Sequence, residues 1–594
     1  MAGVDIITLD NFADKMPRWD PQASNQLYAL VDMGSNGIRF SISDLSPPRA
    51  RLLRCVYRER AAISLFDALG DALSLPEDTI RAVAAALARF RSIALDSFAV
   101  PLSHVSVFAT EAVRRASNAA SLLDAIAAAA PGLRVQVLAP EVETLFGSAG
   151  ARSGFASARG LFLDLGGGSV QMTYVDTAAG EGYEVEAARA GRSLPFGAAR
   201  LIRVLEAAAT DAEARASEEA GLRDGMAAAF RALEERFPSL AEAARRGEGV
   251  DVYLCGGGFR GYGSMLMHSD PLQPYPIPLI GGYTVPGSRF AQTARMRRAN
   301  GEAEGKVFGM SKRRRRQFPA IATVVEALIA ALPPIRSVTF CAGGNREGAL
   351  ALKLPPAVRE ADPLPLLRDI GPLPDGGLGS EDERRAAEAS VLECLMTAVP
   401  ADLDLSPSSA TATVYSLGLG PVFARGIWLR AGEDASANAA HALHDAVFRD
   451  PSFPGLTHLR RAVLGLTSCA RWGGSLAPAD RERQRNLKAL ADGASSGAAF
   501  WARYIGASAA ALARVVPAWP RTGGPIEAIR FNAKANNKGD KVELTIEIHP
   551  LAAMGIDLSD LEDLFKDVAK DKKDGSGKKK KFIELVVKAR EMAI

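Results

Sequence analysis

The sequence predicts an α/β fold made by duplication around a cleft, followed by a helical region and a small α+β tail. Three observations predict it. A short apolar strand, an acid, a Gly/Ser turn and a return strand run through 27–44 (LYALVDMGSNGIRFSISD), and the same order returns at 161–176 (LFLDLGGGSVQMTYVD). The two acids, Asp32 and Asp164, stand 132 residues apart, which reads as an internal repeat. Strands then alternate with helices to about residue 355, the pattern of a largely parallel sheet. Beyond a Pro/Gly-rich stretch the chain turns to Ala- and Leu-rich helical periodicity.

Each element follows from local chemistry. The strands 27–32 and 38–44 flank a Gly/Ser/Asn turn and form a hairpin. A strand at 105–109 leads into a helix over 111–118, and a strand at 135–138 into a helix over 142–154. The second hairpin joins 161–164 to 170–176. Strands at 252–255 and 338–342 run into Gly256-Gly257-Gly258 and Gly343-Gly344-Asn345-Arg346. The run Lys312–Arg316 (KRRRR) reads as the exposed start of a helix over 319–332, with a nuclear-import signal, a track for polyanions or a regulatory surface as the alternatives. Segment 381–514 is helical. Strands at 526–530 and 542–549 flank a turn at 534–541, a helix covers 558–568, and a last element covers 582–592. The basic stretch 566–581, ending in Lys578–Lys581, reads as a solvated loop, with a basic docking patch as the alternative. The domain organisation expected is a lead-in 1–26, a first half 27–158, a second half 159–355, a linker 356–380 marked by Pro363, Pro365, Pro372 and Pro374, a helical domain 381–520 and a tail 521–594.

Composition excludes several classes. The 594 residues carry 71 basic and 68 acidic side chains, a net +3, so a globally basic nucleic-acid binder is excluded and no specific nucleic-acid partner is expected. Five cysteines form no CxxC pair, which argues against a disulfide scaffold or a thiolate zinc site and for a reducing compartment, the cytoplasm. No HExxH or GxxxxGK[ST] occurs. The first residues lack the apolar core of a signal peptide, and no run of about 18 apolar residues predicts a membrane span.

The glycine turns carry the chemistry. A turn directly after a strand offers successive backbone N–H groups to an anion, phosphate above all. Two such turns, each beside a strand-end acid, predict a clamp on a phosphate chain: Gly34, Ser35 and Asn36 from one side, Gly166, Gly167, Gly168 and Ser169 from the other, with Gly257, Gly258 and Gly344 adding to it. Asp32 and Asp164 are hard oxygen ligands suited to Mg²⁺. Gly256, Gly258 and Gly261 spell GxGxxG, but no acid follows at the distance a dinucleotide site requires, so that reading is set aside.

These motifs resemble the exopolyphosphatase/guanosine-pentaphosphatase family: VDMGSNGIR (31–39) its first phosphate loop, DLGGGSVQ (164–171) its second, and ATEAVRRASN (109–118) its helix start. SKRRRRQFPAI (311–321) and FCAGGNREG (340–348) are similar to a fungal branch that works in mitochondria-to-nucleus retrograde signalling. The resemblance covers about residues 27–353. It implies the actin-like ATPase (ribonuclease H-like) fold and hydrolysis of a terminal phosphoanhydride with Mg²⁺ or another divalent cation. The ligands it implies are polyphosphate, guanosine pentaphosphate or ATP, and it leaves a regulatory protein partner and a homodimer open. It assigns Glu143, or Glu141 if the alignment slips, to activation of the attacking water, and Arg114 and Arg346 to phosphate contact. Gln171 stands where the family commonly has a metal-binding Glu, keeping an oxygen ligand without its charge. Loss of that charge supports an alternative, a catalytically weak or inactive ATP- or polyphosphate-sensing scaffold. The helical domain resembles metal phosphohydrolases of the HD type through His441, His444, Asp445 and the later His458, and is expected to be degenerate and structural.

Overall fold

The computed structural model describes residues 5–16, 18–208, 211–368, 380–401, 403, 413–430, 434–450, 453–520, 524–536, 540–569 and 583–592. They form two compact units. The first comprises Met1–Asp270, Leu279–Pro363 and Pro451–Gly455, and the second Pro271–Pro278, Leu364–Asp450 and Leu456–Ile594.

The first unit contains two six-stranded sheets. One orders its strands β1 (Ile6–Ile7), β6 (Val135–Leu138), β5 (Val105–Ala109), β2 (Leu27–Gly34), β3 (Gly37–Asp44), β4 (Arg54–Ala61). The other runs β11 (Thr284–Pro286), β12 (Ile335–Phe340), β10 (Val250–Cys255), β7 (Arg159–Leu165), β8 (Val170–Asp176), β9 (Arg192–Leu194). In each, an antiparallel meander (β2-β3-β4, β7-β8-β9) joins parallel strands on the far side of its first member. The sheets differ at one edge: β1 adds parallel and β11 antiparallel. This is the duplicated actin-like ATPase architecture.

Side-chain alternation explains why β2 is apolar throughout. Ala29, Val31 and Met33 enter a core shared with the helix Glu77–Ser92, whereas Tyr28 and Leu30 enter another on the opposite face. A strand covered on both faces reads as a continuous apolar run. The second face is roofed by the helices Pro140–Arg152 and Asn345–Lys353. They approach so closely that a Cβ on Gly150 would lie 2.0 Å from the Gly344 carbonyl oxygen, and one on Gly348 1.8 Å from that of Phe146. Glycine is required at this crossing.

Three expectations are corrected. The helix predicted over 111–118 stops at Arg115, because Asn118 turns aside to exchange hydrogen bonds with the Leu75 backbone, 2.9 Å each way, and the helix Ala119–Ala129 starts after it. The strand predicted at 526–530 begins at Ile529 and runs to Ala535, taking in Lys534 of the predicted turn. Its alternation decides this: Ile529 and Phe531 are buried while Arg530 and Asn532 are exposed. The basic run is a helix of its own, Lys312–Arg316, ahead of Phe318–Ala331, and only its ends are exposed.

The second unit holds the helices Glu381–Met396, Ala435–Phe448, His458–Trp472, Pro478–Ala494 and Ala498–Val515. Its three-stranded sheet orders β13 (Ile529–Ala535), β14 (Lys541–Ile548), β15 (Glu584–Glu591). Of the predicted linker 356–380, the described part carries the short helices Pro356–Arg359 and Leu364–Leu367, while 369–379, with Pro372 and Pro374, lies outside the described residues. Of the predicted loop 566–581, Lys566–Ala569 is a helical turn and 570–581 lies outside the described residues. No helix among the described residues is long and apolar enough to cross a membrane.

Candidate active site

A cleft of about 610 Å³ opens between the two sheets of the first unit. Both predicted glycine turns line it: Gly34, Ser35 and Asn36 from the β2–β3 turn, and Gly166, Gly167, Gly168 and Ser169 from the β7–β8 turn, with Gly257 and Gly258 beside them. The turns touch. A Cβ on Gly167 would meet Asn36 Nδ2 at 2.7 Å and Ser35 Cβ at 3.0 Å. In the second turn the carbonyls of Gly166, Gly167 and Gly168 accept hydrogen bonds from the first residues of the helix Ala198–Ala207 and from Gly197 before it. That pins the carbonyls away and leaves the N–H groups of Gly167, Gly168 and Ser169 without an acceptor among the described residues. Ser35 and Asn36 are alike in this. Unfilled, convergent N–H groups are an anion cradle.

Four carboxylates line the cleft, Asp32, Glu59, Asp164 and Glu143. Asp32, at the end of β2, is 5 % exposed, and its Oδ1 has no hydrogen-bond partner. Its Oδ2 lies 3.6 Å from Arg39 Nη1. Burial raises its pKa above the ordinary carboxylate range, opposed by the Arg39 and Arg346 charges. Asp164, near the end of β7, is raised by burial too, with Arg260 and Arg39 opposing and Asp32 adding to the shift. Glu143 sits in the first turn of Pro140–Arg152 and is pushed up to about 7. Burial is the main cause, with the charges of Asp164 and Asp32 behind it. A helix N-terminus favours a carboxylate by only about 0.3–1 kcal/mol, so burial wins. Glu141, the alternative, is exposed.

Two predicted phosphate contacts are relocated. Arg114 is absent from the cleft lining. Its Nη2 donates to Glu143 Oε2 at 3.1 Å and its Nη1 to the Leu138 carbonyl, so it holds Glu143 in place. Gly344 is also absent from the lining; it serves the close helix crossing, and its N–H donates to Glu347 Oε2 at 3.0 Å. Its neighbour Arg346 does reach the cleft, with Nη1 buried and unpartnered, as is Asn345 Oδ1. Gln171 is buried on the wall, its Nε2 donating to Ser169 Oγ at 2.8 Å and Ser193 Oγ at 3.3 Å.

The literal GxGxxG has three separate packing causes and no dinucleotide one. Gly256 has φ +84°, and a Cβ there would strike Asp164 Oδ1 at 2.1 Å. One on Gly258 would strike the Leu165 side chain at 2.5 Å, and one on Gly261 the stem of Arg314 at 2.7 Å.

Sequence reasoning missed several arginines that line the cleft: Arg39, Arg60 and Arg260, and the inward half of the basic run, Arg313 and Arg314. Arg39 was findable. The two-residue turn Ser35-Asn36 sets the register in which Asp32 pairs across strands with Arg39. In the basic run, Arg313 donates to Ser64 Oγ (2.8 Å) and Asp67 Oδ2 (2.7 Å), Arg314 Nη1 to the Gly309 carbonyl (2.6 Å), and Arg316 pairs outward with Glu206 (2.8 Å).

The HD-type residues do not converge on a metal. His444 Nε2 lies 2.6 Å from Asp480 Oδ1 and 3.0 Å from Arg483 Nη1, Asp445 pairs with Arg449, and buried His458 bonds the Tyr275 hydroxyl at 2.8 Å. Among the described residues no group of three or more His, Cys, Asp or Glu side chains is placed to hold a metal ion.

Comparison with known proteins identifies the family. Residues 45–356 match the model of the Ppx/GppA phosphatase family, and 380–591 that of the RTG2 C-terminal domain. Retrograde regulation protein 2 of Saccharomyces cerevisiae is 31% identical over 504 residues, covering 81% of this chain and 80% of that one. Among solved structures, the Aquifex aeolicus Ppx/GppA family member is 21% identical, covers 55% of this chain and 96% of its own, and has a TM-score of 0.40. An exopolyphosphatase from Cytophaga hutchinsonii is 20% identical, covers 54% and 96%, and also has a TM-score of 0.40. On the matched residues and the identity shared across four-fifths of its length, the chain belongs to the Ppx/GppA phosphatase family.

Proposed function

We propose that this protein hydrolyses the terminal phosphoanhydride of polyphosphate or of a nucleotide such as guanosine pentaphosphate or ATP, and that it serves mitochondria-to-nucleus retrograde regulation in the cytoplasm. One observation carries the chemistry: a largely buried carboxylate, Glu143, held by Arg114 and lining one cleft with Asp32, Asp164 and both glycine turns, where burial pushes its pKa up to about 7. The family supplies the reaction class, and the likeness to Retrograde regulation protein 2 supplies the regulatory role and the expectation of a regulatory protein partner.

The residues divide the work. The N–H groups of Gly167, Gly168 and Ser169, with those of Ser35 and Asn36, hold the terminal phosphate in line. Arg346 offers its unpartnered Nη1 to a phosphate oxygen. Glu143, half ionised near neutral pH, takes a proton from the attacking water at its carboxylate oxygen. Arg114 fixes that carboxylate by hydrogen bond and moderates its pKa. Asp32 and Asp164 fit a magnesium ion, since Asp32 Oδ1 is buried without a partner and both are hard donors. Mg²⁺ usually binds through one or two carboxylates plus substrate phosphates, so these two suffice without a third acid, with the Gln171 amide oxygen beside them. When bound, the ion would neutralise charge on the phosphates.

The decisive experiment is phosphate release from long-chain polyphosphate, guanosine pentaphosphate and ATP with Mg²⁺, with Glu143→Gln alongside. Loss of about two to three orders of magnitude in the variant, with ligand binding kept, is expected. Equal turnover by both would remove Glu143 from the mechanism. Neutral Gln171 favours a second reading, in which the cleft senses its ligand without turnover and passes the change to a partner. Metal-dependent binding with no release from any of the three substrates would select it.

A further inference from the structure

One buried oxygen in the cleft wall has no part in the reaction above. Asn345 opens the helix Asn345–Lys353, and its Oδ1 is buried with no hydrogen-bond donor among the described residues. The oxygen is not spent on the helix end. The cap there is Gly344, whose N–H donates to Glu347 Oε2 at 3.0 Å. Buried polar atoms in folded proteins are nearly always paired, so an orphan acceptor in a cleft calls for a donor that arrives from outside the chain.

That oxygen faces the helix that carries Glu143. Gly147 follows Glu143 by four residues on Pro140–Arg152, so the two lie on one face. A Cβ on Gly147 would lie 3.4 Å from Asn345 Oδ1 and 3.5 Å from Asp164 Oδ2. The bare glycine therefore leaves a notch bordered by acceptors: the Asn345 amide oxygen, the Asp164 carboxylate and, one turn back, Glu143. All three residues line the cleft. Arg114 donates to Glu143 Oε2, which leaves Oε1 for a further partner. The spacing across the notch is set by backbone, because the two helices touch where Gly344 meets Gly150 and where Gly348 meets Phe146. Acceptors placed in this way are satisfied together by a molecule with two hydrogens to give, and water is one.

We infer that Asn345 is the second holder of the attacking water: its Oδ1 accepts one hydrogen while Glu143 accepts the other, which turns the oxygen lone pair toward the terminal phosphorus on the glycine turns. The inference rests on the hydrolytic reading proposed above and adds the group that orients the nucleophile. In the step, the water oxygen bonds to phosphorus and the bridging P–O bond breaks. The leaving chain keeps that electron pair and Glu143 takes one proton. The hydrogen held by Asn345 stays on its oxygen and becomes the hydroxyl of the released phosphate. A water held by one hydrogen still rotates about that bond, whereas one held by both has a single orientation, and orientation is what such a site contributes to rate.

The test uses the full chain with Mg²⁺ and Asn345→Leu, which keeps the size of the side chain and removes the acceptor. Phosphate release from long-chain polyphosphate, guanosine pentaphosphate and ATP should fall about tenfold to a hundredfold in kcat, the effect of one lost hydrogen bond in the transition state, with KM unchanged. The Kd for tripolyphosphate should also stay as it is, which shows that the variant is folded. A second readout is the choice of nucleophile. Methanol has a single hydroxyl hydrogen, which goes to Glu143, so it gains nothing from Asn345. In aqueous methanol the unmodified chain should form little methyl phosphate. Asn345→Leu should raise the ratio of methyl phosphate to phosphate, read by phosphorus NMR, about tenfold. Asn345→Asp keeps an acceptor oxygen and should keep the parent ratio. A purely structural role would lower the rate without moving that ratio. An unchanged ratio, or a kcat equal to the parent's, would overturn the assignment, as would a loss confined to Mg²⁺ affinity, which would make Asn345 a cation ligand. The hydrolytic reading fails in a different way. No phosphate release by the unmodified chain removes that reading and the held water with it, whereas release that Asn345→Leu leaves untouched removes Asn345 alone.

Discussion

The two halves of the first unit share a strand–turn–strand device and differ in the residue that faces its acid. In the first half Asp32 pairs across strands with Arg39, and in the second Asp164 pairs with Gln171. The first acid therefore has a cation at 3.6 Å, whereas the second has none within 4 Å among the described residues. The turns differ too: two residues, Ser35-Asn36, against the four of Gly166–Ser169, closed by the Gly166 N–H donating to the Ser169 carbonyl at 3.0 Å. The duplication kept the anion cradle, which is a backbone property, and let the charge beside it diverge, which needs only one side-chain change per half. In the proposed reaction a cation would on this view rest more heavily on Asp164, since Asp32 already faces Arg39.

The most severe way to break that comparison is to neutralise each acid in turn. Asp164→Asn should lower Mg²⁺-dependent ligand binding and phosphate release by more than about a hundredfold, and Asp32→Asn by about tenfold. Titrating Mg²⁺ into each variant with ligand present checks the ranking, and equal losses would refute the asymmetry. Arg114→Gln comes next. Its charge and hydrogen bond hold Glu143 below what burial alone would give. Without them the carboxylate protonates more readily, so the acidic limb of the pH–rate profile should move up by about one unit and the rate at pH 7 fall severalfold to tenfold. A limb that stays in place would assign it to another group. Gln171→Glu makes the halves less alike still by giving Asp164 an acidic neighbour. The apparent Mg²⁺ affinity should rise about tenfold, read from the same titration, and an unchanged affinity would show that Gln171 lies outside the metal's reach.

The last effect is on stability and leaves the chemistry aside. Glu143 has an ordinary pKa of 4.5 and one of about 7 in the fold, so between those values the folded chain holds more protons than the unfolded one. Its stability must therefore fall as pH rises from 4.5 to about 7 and level off above. Glu143→Gln removes that dependence, and should match the parent at pH 4 and exceed it at pH 8 by at most about 3 kcal/mol. Denaturant midpoints at the two pH values check this. A variant equally stable or weaker at pH 8 would mean that the carboxylate is not destabilised by its surroundings.

Much of this was legible in the sequence, and unevenly. Both hairpins, both strand-end acids and the helix carrying Glu143 lie where alternation, glycine turns and helical spacing put them, because each is decided within a few residues. Gly344 and Arg114 have partners in the fold other than the expected phosphate, for a common reason. Glycine before a helix can mean a ligand or another backbone, and only the presence of Gly150 opposite selects the second. Arginine on the motif helix can reach a phosphate or a carboxylate, and only the position of Glu143, 29 residues on, selects the latter.

The sequence by itself determined the duplicated α/β plan, the two glycine turns and the acids beside them, since these rest on periodicity and turn chemistry that act over short spans. Only the tertiary structure decided which charges meet. Arg39, Arg60, Arg260 and Arg314 come from two strands and two helices, and the run Lys312–Arg316 looks uniformly solvated until its helix turns Arg314 into the cleft and Arg316 out toward Glu206. Electrostatic interaction depends on distance in space and on burial, and neither is carried by order along the chain.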